Sequence, residues 1–196
     1  MAVEGVFEKI IGGGWERVVL HFDTDLFCCI NFLFLVSQLG SVPELTWDLR
    51  DRTIALNTMD RVFIGSCWRA YSSSDPSSLQ DLLDQAPSRL QPLKTALMAH
   101  LQRFPSTQTG LGRPQELVQE ILDRGLVESE DLVQAFIALD DNVYGWGDAQ
   151  ILRERKQLQS IREGSATCVL GGVTQTTTGP HWQWDPLKRK LRWSEE

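Results

Sequence analysis

At 196 residues, 42% hydrophobic and 23% charged, the chain has the size and composition of a folded unit with two subdomains, which excludes the disordered and fibrous classes. Its 19 Lys and Arg against 26 Asp and Glu give a net charge of -7, which argues against a general binder of phosphate backbones. No apolar run reaches the roughly 20 residues of a membrane span, and Cys28, Cys29, Cys67 and Cys168 form no C-x-x-C pair, so they read as buried thiols of a soluble protein in a reducing cytoplasm.

Residues 1–104 read as an α/β subdomain, 105–114 as a linker and 115–196 as a mostly helical subdomain. Val3 to Ile11 is amphipathic and stops at Gly12, which predicts a short helix, and it lacks the basic flank and long apolar core of a signal peptide. The glycines from Gly12 to Gly14 follow a helix and open a strand, the reverse of a phosphate loop, and so read as a joint.

Val18 to Phe22 is apolar on both faces, the pattern of a strand covered on both sides in a parallel sheet. From Leu26 to Leu35 apolar residues cover most of a helix surface, which Gly40 and Pro43 close. Asp23 and Asp25 thus stand at the carboxyl end of a strand, where α/β proteins place ligand sites. Thr24 or Asp25 is also placed to cap the helix; capping is the preferred reading of Asp25, while Asp23 stays open between a ligand contact and a surface carboxylate. Glu44 to Trp47 and Thr53 to Leu56 are predicted as short strands, followed by helices from Thr58 to Tyr71, from Asp75 and Pro76 onward, and from Pro92 to Phe104. His100 lies beside the apolar face of the last of these, with no ligand at metal spacing, and reads as a core or boundary histidine.

After the turn-rich segment RFPSTQTGLGRP come three predicted helices: Pro114 to Arg124, Ser129 to Leu139 with Ser129 as cap, and Asp148 to Leu158 with Asp148 as cap. Thr167 to Leu170 and His181 to Asp185 are predicted to pair as a hairpin, and three helices followed by a hairpin is the order of a winged helix. Arg153, Arg155, Lys156, Arg162, Lys188, Arg189, Lys190 and Arg192 outnumber Glu154, Glu163 and Asp185 in this region. The stretch reads either as a nucleic-acid face or as a protein-docking wing with exposed Trp182, Trp184 and Trp193, and the net charge favours the second.

Four of these segments, LHFDTDLFCCINFLFLV, HLQRFPSTQTGL, YGWGDAQ and the tail pairing Leu170–Gly172 with Trp182–Asp185, together resemble a bacterial family known only as domain of unknown function 1835. The resemblance spans Val18 to Asp185 and implies a partial Rossmann-like first half, a helical second half and no defined reaction. It also implies a further N-terminal βα region completing the sheet, and a histidine in the place of Thr24.

The function expected on these grounds is a non-enzymatic regulatory or protein-interaction module whose partner is another protein or a second copy, with no cofactor and no metal. One alternative is a nucleic-acid-binding regulator acting through Arg153, Arg155, Lys156 and the hairpin. The other is a carboxylate-dependent, optionally metal-assisted hydrolase using Asp23 and Asp25 with Asp148 or His181, although no nucleophile elbow, P-loop or zinc spacing accompanies those acids.

Overall fold

The computed structural model describes residues 9, 12, 14–40, 42–163, 167–170, 173–176 and 180–195, so the helix expected from Val3 to Ile11 lies, apart from Lys9, outside the described residues. β1 (Arg17–His21) leads into α1 (Leu26–Gln38), and the chain returns through β2 (Glu44–Asp48), parallel to β1 with Val18 opposite Leu45 and Leu20 opposite Trp47. β3 (Thr53–Ala55) turns back antiparallel to β2, its connection closed by the Leu49 N–H donating to the Arg52 carbonyl at 2.8 Å. The sheet is ordered β1-β2-β3.

Strand side chains alternate, so Val18, Leu20, Leu45, Trp47 and Ile54 share one face and join the core, where Phe32 of α1 stacks on Trp47 with ring centroids 4.3 Å apart. The opposite face carries three rows across the strands: Arg17 and Glu44; Val19, Thr46 and Ala55; His21, Asp48 and Thr53. The expectation of a strand covered on both sides is corrected here. Val19 is 37% exposed and His21 is exposed, because the core lies under one face of the sheet only.

α2 (Thr58–Tyr71) opens with a reciprocal cap in which Asn57 and Asp60 each accept the other's backbone N–H, and it packs along α1. Asp60 is fully buried and also takes Arg89 at 2.8 Å. α3 (Ser77–Asp84), a 3-10 turn (Ser88–Leu90) and α4 (Gln91–Leu101) complete this first core with Leu79, Leu83, Leu90, Leu93 and Leu97.

α5 (Arg113–Asp123), α6 (Ser129–Asp140) and α7 (Asp148–Arg162) enclose a second core around Leu117, Val118, Ile121, Leu132, Phe136 and Ile151. Leu26 and Ala99 reach into it from α1 and α4. Ser129 and Asp148, expected as caps, are instead the first helical residues of α6 and α7; the cap positions are held by Glu128 and Gly147, one place earlier.

The strands of the tail pair differently from expectation. β4 (Thr167–Leu170) pairs with β5 (Val173–Thr176), and β6 (His181–Asp185) with β7 (Lys190–Ser194), both antiparallel. Each strand takes the next one in sequence, because closing a short loop costs less chain entropy than closing a long one.

The β6–β7 hairpin lies on the first core, where Trp184 and Leu191 are buried. Gln80 Oε1 accepts the Leu191 N–H, the Thr107 N–H donates to the Trp184 carbonyl at 2.8 Å, and the Trp184 N–H donates to the Pro105 carbonyl at 2.9 Å. The segment that reads as a linker is therefore bonded along β6. The described residues thus form a mixed α/β structure with seven α-helices, none of them long and apolar enough to cross a membrane.

Candidate functional site

β1 and β2 end side by side, and the chain leaving them opens a crevice. His21 Nδ1 lies 2.9 Å from Asp48 Oδ2, and Asp48 Oδ1 accepts from the Thr53 hydroxyl at 2.8 Å, so one hydrogen-bonded row crosses all three strands. Asp23 holds Arg50 by two parallel bonds, 3.0 Å from Nε and 2.9 Å from Nη2. His21, Asp23, Asp48 and Arg50, with Phe22 and Leu49, border a cavity of about 250 Å³.

Asp48 orients the imidazole and leaves Nε2 for a proton, which is half of an acid–base device. The other half is missing: no Ser, Cys, Thr or Lys lines the cavity among the described residues. The side chains of His21 and Arg50 are 72% and 86% exposed, so water reaches every group. Sequence reasoning overlooked His21 and Asp48 because their pairing exists only across two strands 27 positions apart in register.

Asp25 belongs elsewhere. It is 5% exposed and caps α1, accepting the Cys28 N–H at 2.8 Å. The two preceding amides are answered by the loop after α6: the Leu26 N–H donates to the Val143 carbonyl at 2.8 Å and the Phe27 N–H to the Tyr144 carbonyl at 3.1 Å. The orphan donors of the first turn of α1 are thereby satisfied. Gly145, at φ 63, lies so close that a Cβ there would overlap the Asp25 carboxyl group.

The same loop is fastened at its other end by Asp140, which accepts the Tyr144 N–H at 2.9 Å and whose carboxyl is raised above the usual range by burial. Burial, with the Asp25 carboxylate adding to it, raises the Cys28 thiol to about 11 and pushes Cys29 higher still, so neither is a reactive thiolate. Asp23 and Asp25 therefore have separate hydrogen-bond partners. Asp148 is exposed at the start of α7 and accepts its neighbour's N–H, that of Ala149, at 2.7 Å. Among the described residues no group of three or more His, Cys, Asp and Glu could hold a metal ion.

Next to the Asp25 joint lies a buried polar network. His100 is 2% exposed between Tyr71, 4.7 Å away, and Phe104, 6.1 Å away, and its Nδ1 has no hydrogen-bond partner among the described residues. Burial first, and the Arg103 charge second, lower its pKa to about 3, so the ring is neutral. The Arg103 guanidinium lies 5.0 Å over the Trp146 ring and 4.0 Å from Glu154. Glu154 is 4% exposed, accepts from Gln115, and has its carboxyl raised by burial.

Three segments that stood out in the sequence thus converge: Asp25, the His100–Arg103 stretch, and Tyr144–Trp146. What they build is the joint between the two cores. Glu154, which in sequence looks like a solvated acid among bases, is part of it; the available signal was its place with Ile151 and Leu158 on one face of α7.

The basic residues divide between two surfaces. Arg153, Arg155 and Lys156 line a cavity of about 630 Å³ against Ser129 and Gln159, and Lys188, Arg189 and Lys190 line another of about 540 Å³ beside α4. The tryptophans expected as exposed anchors are corrected in part. Trp184 is 5% exposed because it packs on the first core, Trp182 is half-buried with its ring 5.4 Å from that of Trp193, and Trp193 alone of the three is exposed, at 51%. No family model matches the chain, and no curated protein and no solved structure matches it.

Proposed function

We propose that the protein is an interaction module that binds a second copy of itself along the outer edge of β1, its βαβ unit being a partial Rossmann-like layer. The observation that carries this is a pair of parallel strands with one face open and the β1 edge unpaired among the described residues. Parallel sheets are as a rule covered on both faces, and an unpaired edge is a template for another strand.

The backbone direction supports the edge. The Glu16 carbonyl accepts the Glu44 N–H at 3.0 Å, so residues 16, 18 and 20 turn toward β2 and the N–H and C=O groups of Arg17, Val19 and His21 turn away from it. A two-fold axis at Val19 would pair β1 with its own copy in antiparallel register. Val19 would then meet Val19 and Arg17 would meet His21, with Trp15, 47% exposed, beside the strand.

The regulator reading by nucleic acid is weaker on this geometry, since its basic residues line two separate cavities. The winged-helix reading keeps the order of α5, α6, α7 and the strands, while the burial of Trp184 and Leu191 in the first core counts against it. The likeness to the domain of unknown function 1835 supplies the sheet-completing region and no reaction.

Val19→Pro tests the proposal, because it removes an N–H that faces the open edge and leaves the β1–β2 ladder intact. Light scattering of the unaltered chain should give a dimer and that of Val19→Pro a monomer, with thermal unfolding of the dilute protein little changed. A monomer in both cases overturns the reading.

A further inference from the structure

The turn between β6 and β7 and the side of α4 enclose a cavity of about 540 Å³. Lys94 of α4 and Lys188, Arg189 and Lys190 of the hairpin line it, against a single acid, Asp84, at the end of α3. Met98, Ala99 and Val143 give it an apolar part. Asp84 lies 3.5 Å from Lys190, and Asp185 lies 4.0 Å from Lys188; Lys94 and Arg189 form no ion pair among the described residues. Four cations gathered round one cavity in a protein of net charge -7 call for an anion.

The turn itself fixes where the hairpin cations stand. Asp185 Oδ1 accepts the N–H groups of Leu187 and Lys188, each at 3.1 Å, which shapes an ordinary tight turn. Yet its last residue, Arg189, has φ 52, the left-handed region where glycine or asparagine is favoured. A left-handed residue commonly closes such a hairpin turn, and Arg189 stands there among the residues that line the cavity.

We propose that this cavity binds a small organic anion carrying a di- or triphosphate, of the chemical class of a nucleotide. Its volume lies within the roughly 300–1,000 Å³ of small-molecule sites. Lysine ammonium groups and an arginine fork complement several phosphate oxygens at once, while Met98, Ala99 and Val143 offer contact to an uncharged ring. The site stands apart from the β1 edge and holds whether or not the chain pairs there.

Calorimetric titration of the full chain with ATP, ADP, AMP and adenosine decides it. ATP and ADP should bind at least about tenfold more tightly than AMP, adenosine should show no heat of binding, and affinity should fall between about 50 and about 200 mM salt. Lys94→Gln should weaken ATP binding about tenfold or more. Arg189→Gly should weaken it similarly while the Tm stays equal or rises, because glycine accepts the positive φ; loss of binding thereby separates from loss of folding. Absence of binding by all four compounds, equal binding of ATP and adenosine, or unaltered affinity in both variants overturns the proposal.

Discussion

Gly145 and the Asp25 carboxyl group occupy adjoining space, and each is there because of the other. Gly145 adopts φ 63, and any side chain on it would run into Asp25. Gly145→Ala should therefore cost about 2–5 kcal/mol, roughly 1–2 for the left-handed backbone and the rest for overpacking. Asp25→Ala should cost about 0.5–2 kcal/mol through the lost cap, and Asp25→Asn less, since asparagine still accepts the Cys28 N–H. The double variant Gly145→Ala with Asp25→Ala should cost at least about 1 kcal/mol less than the sum, because removing the carboxyl group makes room for the methyl. Urea denaturation of the four proteins measures this, and strictly additive costs would deny the contact. The capping role of Asp25 was legible in the sequence, since an acid before an apolar helical run has few other uses. The glycine that shelters it was legible only as a turn.

α4 was also legible as a helix, from Leu93, Ala96, Leu97 and Leu101 at helical spacing. What it carries on its remaining surface is set by its neighbours. His100 lies among Tyr71, Phe104 and Arg103, and its pKa falls from the ordinary 6.5 to about 3. A base with a lowered folded pKa leaves the unfolded chain holding more protons in between. Stability from His100 is therefore complete above about pH 6.5 and is lost as pH falls toward 3, by at most about 1.4 kcal/mol per pH unit. Asp140 and Glu154, raised by burial, act in the opposite sense, since the folded state keeps their protons to higher pH than the unfolded state does. Comparison with His100→Gln isolates the histidine: the stability difference from the unaltered protein should shrink by about 2 kcal/mol between pH 7 and pH 5. Parallel stability curves would mean that His100 takes up its proton in the folded protein at the same pH as in the unfolded chain.

Among the described residues two cores meet at a joint, and the hairpin crosses the order of the chain to reach the first of them. Trp184 and Leu191 are buried with Leu79, Leu83 and Leu97, not with α6 and α7. Trp184→Ala should cost about 3–5 kcal/mol, as for other large buried aromatics. In native-state hydrogen exchange, the amides of β6 and β7 should open with the free energy of α4 and separately from α6 and α7. If instead the hairpin exchanges together with α6 and α7, its place in the first core is wrong.

The sequence by itself determined the local elements: the first strand, the capped helix after it, the helices of both halves and the turn-forming punctuation between them. Side-chain period, caps and glycine stops act within a few residues, so one chain segment is enough to read them. Only the tertiary structure decided which strands pair, which face of the sheet lies open, and that Asp23 and Asp25, separated by one residue, hold different partners. It also decided that Glu154 is buried and that the basic residues belong to two cavities. Those outcomes depend on contacts between segments distant in sequence, whose energies arise from desolvation and packing that no single segment carries.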